Sequence, residues 1–373
     1  MIPFNVPFIS DNSKKYVIES LNSPFHHGDG PYSNLASNKL TKLVGGGHVL
    51  LTPSCTHALE MASMLINLGP GDEVILPSYT FTSAATAVTK FGAIPVFVDV
   101  DSDTKCINVD QARQAITPRT RAISWVNYAG DSPDIDALLT LRNEFGFALI
   151  EDNAHGLGGS YKGKPLGSFG DFAVQSFHAT KNIQCGEGGA LIINNSKFIE
   201  RAEIIREKGT DRKKFVNGEV KKYQWVDQGS SYLLAEPLAA ILMGQLENFT
   251  SIQYMRAQII QKYRTIDFAG TIFTKQKFFS DAHHMFYIEF KNSNDLKVVK
   301  DKLKELGINT AMHYESLHTS QFGSKFQNKI IGPNSNSVKI SLHLLRLPLW
   351  AGLTELECQE VIKKLEIVVT RLR

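Results

Sequence analysis

The sequence has few cysteines, no long apolar run and no marked excess of either charge. Its 373 residues include 4 cysteines, which form no C-x-x-C pair and show no spacing typical of metal ligands. We therefore expect reduced thiols and no metal site. Lysine and arginine total 40 against 37 aspartates and glutamates, and the net charge of +3 is too small to indicate nucleic-acid binding.

The sequence also lacks the signals that direct a chain into or across a membrane. No apolar stretch approaches the roughly 20 residues needed to span a bilayer. The opening residues, MIPFN, show neither the basic nor the apolar region of a secretory signal. With the reduced cysteines, these absences predict a cytoplasmic protein with no membrane and no nucleic acid among its partners.

Short apolar runs alternate with helical patterns over the first two-thirds of the chain. The runs are rich in Val, Ile, Phe and Ala and lie at Glu73–Leu76, Ile94–Val98, Ala122–Val126, Phe147–Ile150, Phe172–Phe177 and Ala190–Ile193. Helical patterns lie at Cys55–Asn67, Thr80–Phe91, Asp110–Ala115 and Asp136–Phe145. Apolar strands separated by helices indicate an α/β fold with a mostly parallel sheet covered by helices.

The character of the sequence changes after Gly209. A basic polar stretch over Thr210–Gln228 precedes a pattern that predicts one long helix over Ala235–Tyr263. Beyond it we predict a strand at Met285–Phe290, a helix at Asp295–Leu306, a loop at Gln321–Ser337 and a final helix at Thr354–Leu372. We therefore predict a large α/β domain over residues 1–234 and a smaller α+β domain over residues 235–373, which includes the long helix.

Polar clusters follow several of the predicted strands, where ligands of parallel α/β sheets bind. Ser54, Cys55 and Thr56 open a helix, and unpaired backbone N–H groups at a helix start suit a phosphate. A plain Ser or Thr helix cap is the alternative interpretation. Phe81 follows another strand, where an aromatic ring could cover a flat ligand or simply pack in the core.

A second cluster joins a buried strand to two acids and a histidine. In Glu151-Asp152-Asn153-Ala154-His155, an Asp at a strand end could pair with a protonated pyridine nitrogen and keep that ring an electron sink. His155 could stack on such a ring or hydrogen-bond its phenolic oxygen. A carboxylate cap and a structural histidine are the alternatives.

A third cluster places a lysine between two apolar strands. Lys181 ends the segment that begins at Ser176, and the glycine-rich Gly186–Gly189 follows. A lone lysine is normally a solvated surface charge. Glycines, however, allow a close approach of the backbone to a ligand. A lysine held there, partly desolvated, could lose its proton and attack an aldehyde.

These motifs resemble the DegT/DnrJ/EryC1/StrS sugar aminotransferases, a family of fold-type I pyridoxal-phosphate (PLP) enzymes, over nearly the whole chain. The resemblance is carried by PSYTF at 77–81, VDV at 98–100, EDNAH at 151–155, SFHATK at 176–181 and GEGG at 186–189. Longer similar runs are MIPFN at 1–5, LLTPSCT at 50–56, AEIIREKGT at 202–210 and GSSYL at 229–233. The family usually has Ala where this chain has Asn153, and we expect a local adjustment there rather than loss of PLP.

The resemblance implies a role for each matched position. Lys181 corresponds to the Schiff-base lysine, which also moves the proton in catalysis, and Asp152 corresponds to the partner of the pyridine nitrogen. The other implied cofactor contacts are Phe81 stacking on the ring, His155 near the ring oxygen, and Ser176 with the amides of Cys55 and Thr56 at the phosphate. Ser231 would reach the phosphate of the neighbouring subunit, although many relatives have Asn there. We expect Lys208 and Arg212 near the nucleotide diphosphate, and His313 and Tyr314 near the sugar.

The implied reaction transfers the amino group of L-glutamate to the 4-keto group of dTDP-4-dehydro-6-deoxy-D-glucose. Its product would be dTDP-4-amino-4,6-dideoxy-D-galactose, for surface polysaccharide biosynthesis, and the resemblance implies a homodimer with the active site at the interface. Amination of a different nucleotide keto-sugar (at C3, of another epimer, or UDP-linked) and a non-catalytic regulatory role are the alternatives. Related sugar dehydratases have a histidine in place of the Schiff-base lysine, so Lys181 favours amination.

Overall fold

The computed structural model describes residues 1–268, 271–277 and 280–372. Its helices are α1 Asp11–Asn22, α2 Pro31–Leu43, α3 Cys55–Leu65, α4 Ser83–Thr89, α5 Val109–Gln114, α6 Ile135–Phe145, α7 Ile199–Arg206, α8 Arg212–Val216, α9 Glu236–Glu247, α10 Phe249–Arg264, α11 Ser293–Glu305, α12 Ser335–His343 and α13 Glu355–Thr370. Its strands are β1 His48–Thr52, β2 Glu73–Pro77, β3 Ile94–Val98, β4 Thr120–Val126, β5 Ala148–Asp152, β6 Ser160–Tyr161, β7 Lys164–Pro165, β8 Phe172–Ser176, β9 Gly189–Ile193, β10 Phe273–Lys275, β11 Tyr287–Phe290, β12 Ala311–Met312 and β13 Leu344–Arg346. Short 3₁₀ turns lie at Tyr128–Gly130, Ser196–Phe198, Leu317–Thr319 and Gly323–Lys329.

The largest sheet has seven strands in the order β1-β9-β8-β5-β4-β2-β3. Strand β9 runs antiparallel to both of its neighbours, and the other pairs are parallel. The α/β prediction with a mostly parallel sheet is therefore confirmed, and each of the six predicted apolar runs coincides with a strand of this sheet. The sequence patterns missed β1, whose apolar residues lead straight into the start of α3.

Both faces of this sheet are covered, which explains why its strands read as continuous apolar runs. One face packs Leu59 and Met61 of α3 against strand residues such as Val174. The opposite face packs Leu138 and Leu141 of α6 against strand residues that include Trp125 and Leu149. Polar residues consequently gather at the carboxyl ends of the parallel strands.

The predicted single helix over Ala235–Tyr263 is wrong, because the chain forms α9 and α10 with a break at Asn248. The side chain of Asn248 donates a hydrogen bond to the backbone carbonyl of Gly244 at 2.8 Å, and this local bond competes with helix continuation. Helix α9 packs with α1, α2 and strands of the large sheet, whereas Ile259, Ile260 and Tyr263 of α10 belong to the core of the C-terminal part. The division into two domains at residue 234 stays a prediction.

The C-terminal part is built on a four-stranded sheet in the order β10-β11-β13-β12. All of its pairs are antiparallel, and helices α10, α11 and α13 cover it with a second apolar core. The region 321–337, predicted as a loop, contains the 3₁₀ turn at Gly323–Lys329 and the start of α12. Among the described residues, no helix combines the length and apolarity needed to cross a membrane.

Candidate active site

A cavity of about 440 Å³ opens at the carboxyl ends of the parallel strands. It brings together nine of the twelve site residues predicted from the sequence: Cys55, Thr56, Phe81, Asp152, His155, Ser176, Lys181, His313 and Tyr314. The first seven come from the large sheet and its connections, and the last two follow β12. The C-terminal sheet therefore closes the cavity over the strand ends.

Lys181 reaches the cavity from a tight turn between β8 and β9. Its backbone N–H donates to the carbonyl of His178 at 2.9 Å. The next residue, Asn182, is buried and donates to the carbonyls of Leu157 and Ala282, both at 3.1 Å. Burial lowers the pKa of the Lys181 ammonium to about 8, although the nearby carboxylate of Asp152 acts in the opposite direction. The turn therefore holds an amine that is partly deprotonated near neutral pH.

Asp152 is the last residue of β5 and is buried. Its Oδ1 accepts a hydrogen bond from the backbone N–H of Ala154 at 3.0 Å. Burial raises the pKa of Asp152, and that hydrogen bond and the charge of Lys181 partly offset the increase. Asp152 thus presents a desolvated carboxyl group to the cavity, suited to a cationic or N–H partner.

The two residues beside Asp152 are fixed by a buried polar network. Asn153 accepts a hydrogen bond from Asn127 at 2.9 Å and donates to Gln175 at 3.1 Å and to the carbonyl of Leu166 at 3.2 Å. On the other side, Glu151 accepts from Asn127 at 2.9 Å and from backbone N–H groups over residues 167–170. The unusual Asn153 is therefore accommodated by hydrogen bonds beneath the cavity.

The N-terminus of α3 forms the anion-binding side of the cavity. Ser54 caps the helix by accepting the N–H of His57 at 3.2 Å. The amides of Cys55 and Thr56 lie earlier in the first turn, where a helix offers no acceptor, and they remain free. A Cβ on Gly189 would lie 2.4 Å from the backbone nitrogen of Cys55, so β9 packs directly against this helix start. Ser176 ends the neighbouring strand β8 and lines the same cavity. A phosphate fits these donors.

Aromatic rings line the remaining walls. His155 is stacked on His284, with ring centroids 4.3 Å apart, and its Nε2 lies 3.3 Å from the hydroxyl of Tyr314. His313 is stacked on Tyr314 at 4.1 Å, and Phe81, which is 57% exposed, lies 5.9 Å from Tyr314. Burial lowers the pKa of His155 well below its usual value, so this histidine is neutral at physiological pH.

Sequence reasoning missed two cavity residues from the C-terminal part, His284 and Arg346. Arg346 is the last residue of β13, and its guanidinium donates to Nε2 of His313. The available sequence signal was a cation directly after two apolar residues, Leu344 and Leu345. Such a signal is weak unless the position of the C-terminal sheet over the cavity is known.

Three predicted residues lie outside the cavity. Ser231 is exposed and forms a backbone bridge with Glu207. Lys208 and Arg212 both contact the carboxylate of Glu207, at 3.1 and 2.9 Å. Arg212 lines a separate cavity of about 640 Å³. Within the single chain, this basic segment does not reach Lys181.

Residues 7–366 match the DegT/DnrJ/EryC1/StrS aminotransferase family. The chain belongs to this family. Among solved structures, the Streptococcus pneumoniae protein Spr1654, assigned as a sugar aminotransferase, was determined in its PMP form; it is 26% identical, with 100% of each chain covered and a TM-score of 0.90. Helicobacter pylori PseC, an aminotransferase of pseudoaminic acid biosynthesis, is 25% identical, with 99% of each chain covered and a TM-score of 0.89. DesI, solved with its TDP-sugar product, is 26% identical over 99% of this chain and 92% of its own, with a TM-score of 0.87.

This aminotransferase family is PLP-dependent, and the cavity residues of the chain fit PLP. Lys181 is the amine that would take the aldehyde, and Asp152 is the buried carboxylate that would meet the pyridine nitrogen. The free amides at the start of α3 would hold the phosphate. The fit rests on three features of one cavity: a partly deprotonated lysine, a desolvated carboxyl group and a helix N-terminus.

Proposed function

We propose that this aminotransferase transfers the amino group of L-glutamate to the 4-keto group of dTDP-4-dehydro-6-deoxy-D-glucose, giving dTDP-4-amino-4,6-dideoxy-D-galactose. The observation that carries the proposal is the approach of Lys181 and Asp152 to one cavity beside the amides of α3. Similarity to PseC and DesI, which handle sugars, supports a sugar acceptor. The choice of sugar, nucleotide and position rests on the sequence resemblance.

The residues of the chain divide the chemical work. PLP, when bound, supplies the electron sink that stabilises negative charge on the donor Cα. Lys181 removes the proton from the donor Cα, and in the sugar half of the reaction it delivers a proton to the sugar carbon that receives the nitrogen. Asp152 keeps the pyridine nitrogen protonated. Phe81 would stack on the pyridine ring of PLP, and Tyr314 would help to orient the incoming sugar. Together their aromatic rings limit the access of water.

A homodimer completes the proposed site. The exposed Ser231 would contact the phosphate bound to a second copy, and Lys208 and Arg212 on the adjoining segment would approach the nucleotide diphosphate. Exposed apolar side chains on the same segment, notably Trp225 at 80% exposure, support burial against another chain. Arg212→Ala should raise the KM of the nucleotide sugar, and an unchanged KM would refute this placement.

The cellular setting is also part of the proposal. All four cysteines are free thiols, and three of them are buried, in keeping with the reducing cytoplasm. A nucleotide-linked amino sugar made there would serve surface polysaccharide biosynthesis.

The decisive first experiment is the donor half-reaction. Wild-type protein loaded with PLP and given L-glutamate should lose the visible absorbance band of the bound cofactor and release one equivalent of 2-oxoglutarate per site. Lys181→Ala should show neither change, and Lys90→Ala, at a surface lysine paired with Glu60, should behave as wild type. A wild-type protein that binds PLP but leaves glutamate unchanged would favour the regulatory alternative.

A further inference from the structure

Arg346 is a cation in the cavity, and it has no acidic partner in the part of the chain that the structure describes. It lies at the end of β13, opposite Tyr287 of β11 and Ala311 of β12. Its guanidinium donates to His313 and lies 4.8 Å from the ring of Phe4. Among the residues the structure describes, no carboxylate comes within 4.0 Å of it, and its buried Nε has no hydrogen-bond acceptor. Arg346 is half-buried, and withdrawing part of a guanidinium from water without an anion costs free energy, so the arrangement points to an anionic ligand.

His313 cannot supply that missing charge. An arginine only donates, so Nε2 of His313 must accept, and the ring proton lies on Nδ1. Nδ1 therefore donates to the hydroxyl of Tyr128, 2.9 Å away, and Tyr128 can donate to Tyr79 at 3.3 Å. This chain of hydrogen bonds fixes a neutral histidine. Burial also lowers the pKa of His313 well below its usual value, and Arg346 adds to the decrease.

The surroundings of Arg346 are positive rather than negative. Lys181 lies close enough for Arg346 to contribute to its lowered pKa, after the larger effect of burial. Arg256, which is buried, already donates to the carbonyls of His283 and His284 at 2.8 and 2.5 Å. The acids lining the cavity are Asp152, which has its own role at the cofactor, and the exposed Glu187. An arriving anion would thus meet an unpaired guanidinium beside the reactive amine.

The position of Arg346 identifies the kind of anion. The phosphate donors lie at the start of α3, on the large sheet, whereas Arg346 projects from the C-terminal sheet into the cavity that Lys181 also lines. The group it binds must therefore accompany the atoms that react at the lysine amine. Of the two substrates in the proposed reaction, the amino acid carries a carboxylate directly on its reacting carbon. The nucleotide sugar is also anionic, but its diphosphate lies on the far side of an uncharged ring and is assigned to Lys208 and Arg212.

We propose that Arg346 binds a carboxylate of the amino donor. The guanidinium can make two parallel hydrogen bonds to a carboxylate, which fixes the donor's orientation as well as its affinity. Because His313 accepts from Nη1, the unpaired Nε is available for one of these two bonds, and Nη2 on the same edge of the guanidinium would make the other. This inference rests on the proposed function, because it assigns the donor to the same cavity.

The test compares Arg346→Gln and Arg346→Lys with wild type, each as the PLP-loaded enzyme. Calorimetry with 2-oxoglutarate measures binding of the donor's keto form, independently of turnover. We expect the affinity to fall roughly 10- to 100-fold in Arg346→Gln, the range for losing hydrogen bonds to a charged group. Arg346→Lys keeps the charge but loses the two-pronged geometry, so its loss should be smaller. Arg113→Gln, at an exposed arginine paired with Glu144, is the control and should bind as wild type.

The outcomes separate this inference from the proposed function. Wild-type affinity in both Arg346 variants would overturn the inference, as would intact 2-oxoglutarate binding combined with a raised KM for the nucleotide sugar. If Arg346→Gln fails to retain PLP, Arg346→Lys alone decides, with unchanged affinity counting against the inference. Failure of the proposed function would look different, because wild-type enzyme would then show no reaction with L-glutamate.

Discussion

The lowered pKa of Lys181 predicts how the PLP-free enzyme captures its cofactor. Only the neutral amine attacks an aldehyde. With its pKa lowered from 10.5 to about 8, chiefly by burial, Lys181 is about a quarter neutral at pH 7.5, against about 0.1% for an ordinary lysine. The neutral fraction is therefore roughly 200-fold larger than for an exposed lysine.

Stopped-flow measurement of the visible absorbance of bound PLP, from pH 6 to 11, should give a capture rate that rises with a midpoint near pH 8. Free Nα-acetyl-lysine, measured in parallel, supplies the unperturbed midpoint. Two substitutions test the direction in which each neighbouring charge shifts the pKa of Lys181. Arg346→Gln should move the midpoint to higher pH, and Asp152→Asn should move it to lower pH. A wild-type rate that is still rising steeply above pH 10, as for the free amine, would refute the reasoning.

Three further predictions concern the same sheet. Asp152→Asn should fold and bind PLP, but its donor half-reaction should be about 10²- to 10³-fold slower, because the pyridine nitrogen loses its charged partner. Single-turnover reactions with L-glutamate measure this rate constant, and a wild-type rate would contradict the role of Asp152. Gly189→Ala should weaken PLP binding in a spectroscopic titration, because the added Cβ would displace the N-terminus of α3. The control Gly69→Ala, which has no atom within 4 Å of the added Cβ, should bind PLP as wild type does. Equal PLP affinities in the two variants would contradict the packing argument. Burial alone would raise the pKa of Glu73, but hydrogen bonds from three neighbouring side chains lower it to about 2. Its stabilising effect is therefore present above its usual pKa of 4.5 and is lost as the pH falls towards 2. Glu73→Gln should accordingly lower the free energy of unfolding, measured in urea, by up to about 3 kcal/mol at pH 7. A difference between wild type and variant that stays the same in acid would contradict this.

The sheet and the centre of the cavity could be predicted because their signals are local. A buried parallel strand is a short apolar run, and the polar residues at its end or in the connection that follows lie at the ligand-binding edge. Asp152 ends β5, and Lys181 lies in the connection between β8 and β9. The break at Asn248 could not be predicted from periodicity, because both halves of the pattern remain apolar on one stripe. It depends on a side chain that bonds back to the carbonyl of Gly244.

Arg346 and His284 could not be placed from the sequence because long-range packing brings them to the cavity. Arg346 reaches it only when β13 pairs with β11 and β12, far from the strands that hold Lys181. Asn153 illustrates a different limit. Its departure from the family pattern was visible in the sequence, but its partners, Asn127 and Gln175, come from two neighbouring strand ends that only the folded sheet brings together.

The activity we propose is amination at C4 of a dTDP-linked 4-keto-6-deoxyhexose. Purified enzyme with PLP, L-glutamate and dTDP-4-dehydro-6-deoxy-D-glucose should form a single product, and NMR coupling constants of its sugar ring give the position and configuration of the amine. We predict an axial amine at C4, the galacto configuration. An equatorial amine, an amine at C3, or turnover only with a UDP-linked sugar would contradict the assignment.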